Sequence, residues 1–276
     1  MIVDSDGNLI FVRKLLNGIN PQLPPIIFLH GFMGNSTDWN FVAGKLNLNC
    51  SLYAIDFIGH GKSSAPDDEK QYTYTSINSH LISVMDKLKL QKAILAGYSM
   101  GGRAALGFAI ENANRVEALI LESTTAGIED KEERLKRIKS DELTSEKIRK
   151  GSLQTFLISW YEADLFKSLN KNFELLKNEI EIKKKNNHIG ISNCVKGFSP
   201  GKMPSYWSKL GSIQIPVLQI VGELDNKYVQ LNTKMKECLP NSTLKIVLGV
   251  SHNTHLEKPQ EFTNFVNHFL VNHFKI

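Results

Sequence analysis

Six short apolar runs, most of them closing on a glycine or an acidic residue, recur along the chain with helix-patterned sequence between several of them. This alternation constrains the fold more than any other feature. "PPIIFLHG" (24–31) reads as a buried strand leading into a loop, and "SLYAIDFIGHGKSS" (51–64) repeats the design with an Asp at the strand end and a Gly-rich turn. "TYTSINSHLISVMDKLKL" (73–90) places Ile77, Leu81, Val84, Met85 and Leu88 on one helical face. "QKAILAGYS" predicts a third strand, followed by the helix "MGGRAALGFAIENANRV". "VEALILEST", "IQIPVLQIVGELD" and "STLKIVLGVSH" predict three more strands, and "PQEFTNFVNHFLVNHF" a closing helix. Strands alternating with helices imply an α/β fold with a mostly parallel central sheet and helices on both faces.

One stretch breaks the rhythm. From 124 to 209 no strand pattern is visible, and the sequence is helical and highly charged, as in "EDKEERLKRIKSDELTSEKIRKGSLQTFLISWYEADLFKSL". Because it lies between two core strands, it is expected to be a helical lid inserted in a core formed by 1–123 and 210–276. An insertion after a strand's C-terminal end sits over the ligand-binding edge of a parallel sheet.

The chemistry centres on "AGYSMGGR". Gly97-x-Ser99-x-Gly101 lies between a strand and a helix, where a tight turn exposes a serine and the flanking glycines allow close backbone approach. A serine hydroxyl needs a base, and the base needs an orienting group. Asp225 ends the fifth predicted strand and His252 follows the sixth, so Ser99, Asp225 and His252 occur in the order expected of a nucleophile-elbow triad. Met100, directly after the serine, and Phe32, in the "HGF" loop, are placed to supply the N–H groups of an oxyanion hole. Asp56 is read as a turn-stabilising residue, and His30 and His60 as loop braces. His255 either lines the site or caps the last helix, and His80, His188, His268 and His273 are read as surface or lid positions. No histidine pair has metal-ligand spacing, so neither metal nor cofactor is expected.

Composition excludes several other classes. The formal net charge of +5 comes without a like-charged block, which argues against nucleic acid, and no apolar run is long enough to span a bilayer. Cys50, Cys194 and Cys238 form no CxxC pair and are read as reduced thiols, and "MIVDSDGNLIF" lacks the basic start and apolar run of a signal peptide. These features predict a soluble cytoplasmic protein acting on a small molecule.

Together "HGF", "DFIGHGKS", "GYSMGGR", "VGELD" and the final histidine loop resemble the α/β-hydrolase superfamily across nearly the whole chain. "GIEDKEERLKRIKSDEL", "FLISWYEADLFKSL" and "SHNTHLEKP" narrow the resemblance to 2-succinyl-6-hydroxy-2,4-cyclohexadiene-1-carboxylate (SHCHC) synthase of menaquinone biosynthesis. That resemblance implies a pyruvate-eliminating lyase acting on a small polycarboxylate substrate, in which the triad abstracts a proton and the oxyanion hole holds an enolate. It implies substrate-binding roles for Tyr98, Arg103, Arg137 and Trp160, with Arg134 and Tyr161 beside them. The family's further Arg, before an Asn-Asn pair, reads here as "KKNN", so Lys184 is expected to stand in, and Ser251 replaces the Gly before the catalytic histidine. A serine esterase, thioesterase or C–C hydrolase on a small carboxylated substrate is the alternative, since the same triad serves both chemistries. A non-catalytic ligand receptor is a third reading, and an intact triad argues against it.

Overall fold

The computed structural model describes residues 1–18, 23–46 and 49–274. The six expected strands are β3 (Ile26–Leu29), β4 (Leu52–Ile55), β5 (Ala93–Tyr98), β6 (Val116–Glu122), β7 (Val217–Gly222) and β8 (Ser242–Val247). They are preceded by a hairpin that the run-spacing argument passes over, β1 (Ile2–Ser5) and β2 (Asn8–Leu16), joined by an Asp6-Gly7 turn in which both residues have positive φ. The eight strands form one sheet in the order β1-β2-β4-β3-β5-β6-β7-β8. The β1–β2 and β2–β4 pairings are antiparallel and all others parallel, so the antiparallel part is confined to one edge.

Both faces of the sheet are covered, which is why its central strands read as continuous apolar runs. Ile27, Leu29, Leu95, Leu119 and Leu121 face α2 (Tyr74–Lys87), α3 (Met100–Glu111) and α8 (Asn226–Cys238). Ile26, Phe28, Ile94, Ala96, Ile120 and Ile220 face the short α1 (Asn40–Ala43) and the closing α10 (Pro259–His273). One-turn helix α9 (Thr254–Glu257) sits between β8 and α10.

Between β6 and β7 lie α4 (Lys131–Lys150), α5 (Leu153–Tyr161), α6 (Phe173–Lys183) and α7 (His188–Gly197). They share a small apolar core of their own, with Ile148, Leu157, Tyr161, Phe166 and Ile191 around Met33. The last part of this insertion behaves differently: Phe198, Met203, Tyr206 and Trp207 pack into the main core beside α3. No helix among the described residues is long and apolar enough to cross a membrane. The three cysteines are free thiols, and burial pushes Cys50 up to about 11 and Cys194 up to about 12, which leaves both unreactive at neutral pH.

His80 departs from the surface position expected of it. It lies on the buried stripe of α2 with Ile77, Leu81 and Val84, and its Nδ1 has no hydrogen-bond partner. Burial lowers its pKa to about 4 from 6.5, partly offset by Asp6. The unfolded chain therefore binds the proton first, and the stability contributed by neutral His80 is present above pH 6.5 and is lost as pH falls towards 4. His80→Leu is expected to flatten the pH dependence of urea-unfolding free energy in that window by up to about 1.4 kcal/mol per pH unit relative to wild type. Parallel curves for the two proteins would refute this.

Candidate active site

Every candidate catalytic residue lies at the C-terminal edge of the parallel strands. β5 runs into Ser99, which adopts φ +50° and ψ −102° and serves as the N-cap of α3. A non-glycine residue in that conformation is strained, and the surroundings hold it there. The Ser99 N–H donates to the Glu122 carbonyl at 2.8 Å, and Thr124 Oγ1 donates to the Ser99 carbonyl at 2.9 Å. The two flanking glycines are required by space. A Cβ on Gly97 would collide with the Gly101 carbonyl, and one on Gly101 with the Leu29 carbonyl of β3. The turn exists only because three backbones can close on each other.

His252 Nε2 lies 2.9 Å from Ser99 Oγ, and His252 Nδ1 lies 2.6 Å from Asp225 Oδ2. A carboxylate only accepts, so Nδ1 carries the proton and Nε2 is left to accept from the serine. Both His252 and Asp225 are almost fully buried. The loop carrying His252 is tied to the helical insertion between β6 and β7: Ser251 and Ser168 exchange N–H···Oγ bonds of 2.7 and 3.2 Å, and the His252 N–H donates to the Leu165 carbonyl at 3.2 Å. The side chain that replaces the family's glycine thus makes a contact of its own.

Phe32 and Met100 both lie in the wall of the cleft with Ser99. Among the described residues neither backbone N–H is paired, as an oxyanion hole requires. His30 and His60 brace the loop beneath them. His30 Nε2 accepts from the Phe57 N–H at 3.0 Å, and His60 Nε2 accepts from the Met33 N–H at 3.2 Å. Burial lowers the pKa of both, so they remain neutral acceptors. Asp56 accepts the N–H groups of Ser36 and Lys62 at 2.6 and 2.8 Å, the turn role expected of it.

Two lobes meet at Ser99 and His252 under Trp160. One lobe is lined by Arg103, Arg137, Phe198 and Tyr228, and the other by Tyr98, Tyr161, Asp38 and Lys183. Trp160 borders both and packs edge-on against Phe32, with ring centroids 5.5 Å apart. Arg103 is buried, donates to Tyr74 Oη and to the Phe198 carbonyl (2.8 Å), and has no ion-pair partner among the described residues. Arg137 is tied to Asp141 at 2.9 Å. Burial, with Glu122, Tyr161 and Asp225 nearby, pushes the Tyr98 phenol well above its ordinary value, so it stays protonated. Arg134 does not border either lobe.

Lys184, like Arg134, is an expected substrate-binding residue that the structure places outside the cleft. Its ammonium pairs with Glu181 at 2.7 Å on the outer face of α6, about a third exposed. The adjacent Lys183 enters the cleft instead, because the 3.6-residue period turns it towards the core with Glu179, one turn earlier. Lys183 lies 2.9 Å from Glu179 and 3.7 Å from Asp38. Burial alone would lower its pKa, but Asp38, Glu179 and Tyr161 outweigh it and hold the ammonium well above its ordinary value. Asp38, Tyr228, Tyr74 and Phe198 also escape the sequence reading, since no motif marks them. His255 does not line either lobe; it is buried behind Tyr98, stacked on Trp39 at 4.3 Å between ring centroids.

Comparison with known proteins bears on the fold and the family. A family model described as "alpha/beta hydrolase fold" matches residues 24–259. The chain is 38% identical over 247 residues, 89% of its length and 90% of the relative's, to a Bacillus subtilis (strain 168) protein provisionally assigned as SHCHC synthase. It is 29% identical to the SHCHC synthase of Serratia proteamaculans, covering 94% of this chain and 98% of that one. Among solved structures, MenH from S. aureus superposes with a TM-score of 0.89 at 29% identity, covering 95% and 98% of the two chains. The enol-lactonase from Burkholderia xenovorans LB400 superposes at 0.83 with 20% identity over 98% of this chain and 100% of that one, a likeness of fold alone.

The strain at Ser99 is measurable. Ser99→Ala keeps a side chain in the disfavoured conformation, whereas Ser99→Gly releases it at the cost of a more flexible unfolded chain. Ser99→Gly is expected to be more stable than Ser99→Ala by about 1 kcal/mol in urea unfolding. A Ser99→Gly protein less stable than Ser99→Ala by the glycine cost of about 1 kcal/mol would mean that the turn stores no strain.

Proposed function

The chain belongs to the α/β-hydrolase fold family and, within it, to the SHCHC synthases, and on that premise we propose that it is a lyase releasing pyruvate from 2-succinyl-5-enolpyruvyl-6-hydroxy-3-cyclohexene-1-carboxylate to give SHCHC. The observation that carries this reading is the pair of cation-bearing lobes meeting at the serine. An apolar ester needs no such ends; a ring bearing a succinyl group, a ring carboxylate and an enolpyruvyl carboxylate does. Arg103 is the principal anchor, because its charge has no carboxylate partner among the described residues. Arg guanidinium binds carboxylate through two parallel hydrogen bonds and so fixes orientation as well as position. Arg137, Tyr98 and Trp160 complete the walls, and Lys183 takes the place expected of Lys184.

In the reaction, Asp225 holds His252 in the tautomer that accepts at Nε2, and His252 takes the Ser99 proton. Ser99 Oγ removes the ring C–H proton beside the succinyl ketone, and the electron pair moves onto the ketone oxygen. The N–H groups of Phe32 and Met100 stabilise that oxygen as an enolate. As the ketone re-forms, the electron pair shifts through the ring double bond and breaks the C–O bond to the enolpyruvyl group. The leaving enolate takes the proton from His252 and becomes pyruvate, leaving the ring as a diene and Ser99 reprotonated. No acyl-enzyme forms.

Pyruvate release from this substrate is expected to be fast in wild type, to fall at least about 10³-fold in Ser99→Ala, and to exceed by far any turnover of p-nitrophenyl acetate. Rapid ester cleavage without pyruvate would overturn the reading in favour of an esterase on the same fold. Lys183→Met is expected to lower kcat/KM about 100-fold, since it removes a buried charge from the cleft. Lys184→Met should stay within about twofold, as for other exposed ion pairs.

A further inference from the structure

Outside the cleft, the most densely bonded buried carboxylate is Glu122, the last residue of β6, only 1% exposed. It borders neither lobe. Its two oxygens accept three hydrogen bonds from two consecutive residues of α9. Oε1 accepts from Thr254 Oγ1 at 2.7 Å and the His255 N–H at 3.0 Å, and Oε2 from His255 Nδ1 at 2.6 Å. The carbonyl of the same residue accepts the Ser99 N–H at 2.8 Å. One residue therefore grips the nucleophile through its backbone and, through its side chain, the segment beginning two residues after the base.

Glu122 itself has little freedom. It pairs in register with Tyr98 of β5 on one side and Ile220 of β7 on the other, so its backbone is fixed in the middle of the sheet. The His255 ring it holds is stacked on Trp39 and set edge-on to Tyr98, with centroids 4.3 and 5.1 Å away, and thus braces the residue before the nucleophile. The other tethers of the histidine loop come from the helical insertion, through Leu165 and Ser168, from the Asp225 side chain, and from the turn after β7. In that turn the Leu224 N–H donates to the Val250 carbonyl at 2.9 Å and Glu223 accepts from the Gly249 N–H at 2.8 Å. Of the core tethers among the described residues, only Glu122 also holds the nucleophile. A carboxylate with three charge-assisted bonds is a strong link between core and loop.

We propose that Glu122 is a positioning residue that sets the separation and alignment of His252 and Ser99, acting through Thr254 and His255. The inference rests on Ser99 and His252 working as the pair described above. Because proton transfer between them is steeply sensitive to geometry, a shift of about 1 Å at His252 is sufficient to cost about 100-fold in rate. Among the described residues Arg103, Arg137 and Lys183, the cations of the cleft, make no hydrogen bond or ion pair with Glu122 or α9, so the larger loss falls on the rate.

The test uses a fluorophosphonate probe, whose attack on Ser99 depends on the Ser–His geometry and not on which substrate the enzyme takes. Glu122→Gln keeps the volume but replaces one acceptor oxygen by an amide donor. It is expected to lower the labelling rate constant about 10- to 100-fold and kcat for pyruvate release by a similar factor, with a much smaller change in KM and the final label stoichiometry unchanged. Thr254→Val should lower both rates several-fold, and Thr254→Ser, which keeps the hydroxyl, should restore most of the loss. A residue needed only for folding would reduce the fraction of chains labelled and leave the rate constant alone. Wild-type labelling rates in Glu122→Gln and Thr254→Val, with labelling abolished in His252→Ala, would overturn the proposal and leave the Ser–His pair standing. A wild-type protein that the probe does not label would overturn both.

Discussion

At the start of α3, the Cα of Gly101 lies against the carbonyl of Leu29 on the neighbouring strand, while Gly97 lies beneath the carbonyl of Gly101. Side chains are excluded at both points. This three-way approach of β3, β5 and α3 forces the turn that lifts Ser99 to positive φ, and the rest of the site is arranged around it. It starts a helix at Ser99, which leaves the Met100 N–H without an intrahelical acceptor. It brings the β3 loop with Phe32 into the wall of the same cleft. It also places the serine beside the ends of β7 and β8, from which Asp225 and His252 come.

Much of this was legible because the signals are local. The six strands are apolar runs of the right length, and Ser99, Asp225 and His252 stand at strand ends in an order that only one sheet topology brings together. The β1–β2 hairpin was readable too, from Asp6-Gly7 between alternating residues, but its strands are half exposed and lack the continuous apolar run that marks the others. His80 follows Ile77 by three residues and precedes Val84 by four, so helical phase alone puts it on the buried stripe. Lys183 was likewise separable from Lys184 by the Glu179–Lys183 spacing on α6. What no local pattern carries is the set of contacts made across the fold: Asp38 reaching Lys183, Tyr74 and Phe198 holding Arg103, and Glu122 reaching α9.

The cleft's cations differ in how far they are already neutralised. Lys183 has two carboxylates beside it, Arg137 one and Arg103 none among the described residues. An incoming carboxylate gains most where no resident anion competes, and a buried guanidinium held by a phenol and a carbonyl is oriented before the ligand arrives. The Lys183 lobe, ringed by Asp38, Glu179, Tyr98 and Tyr161, offers donors and acceptors together and suits a hydroxyl or keto oxygen as well as an anion. The asymmetry gives an elongated, unevenly charged ligand a preferred direction across the serine.

The bonds between Ser168 and Ser251 and between Leu165 and the His252 N–H couple the helical insertion to the histidine loop. The segment that roofs the cleft is the same one that steadies the histidine loop from above. Lifting the roof far enough to admit bulk water removes those supports from the base at the same moment. Solvent access and a fully braced histidine then exclude one another, so His252 has its complete set of supports only while the cleft is closed to bulk water.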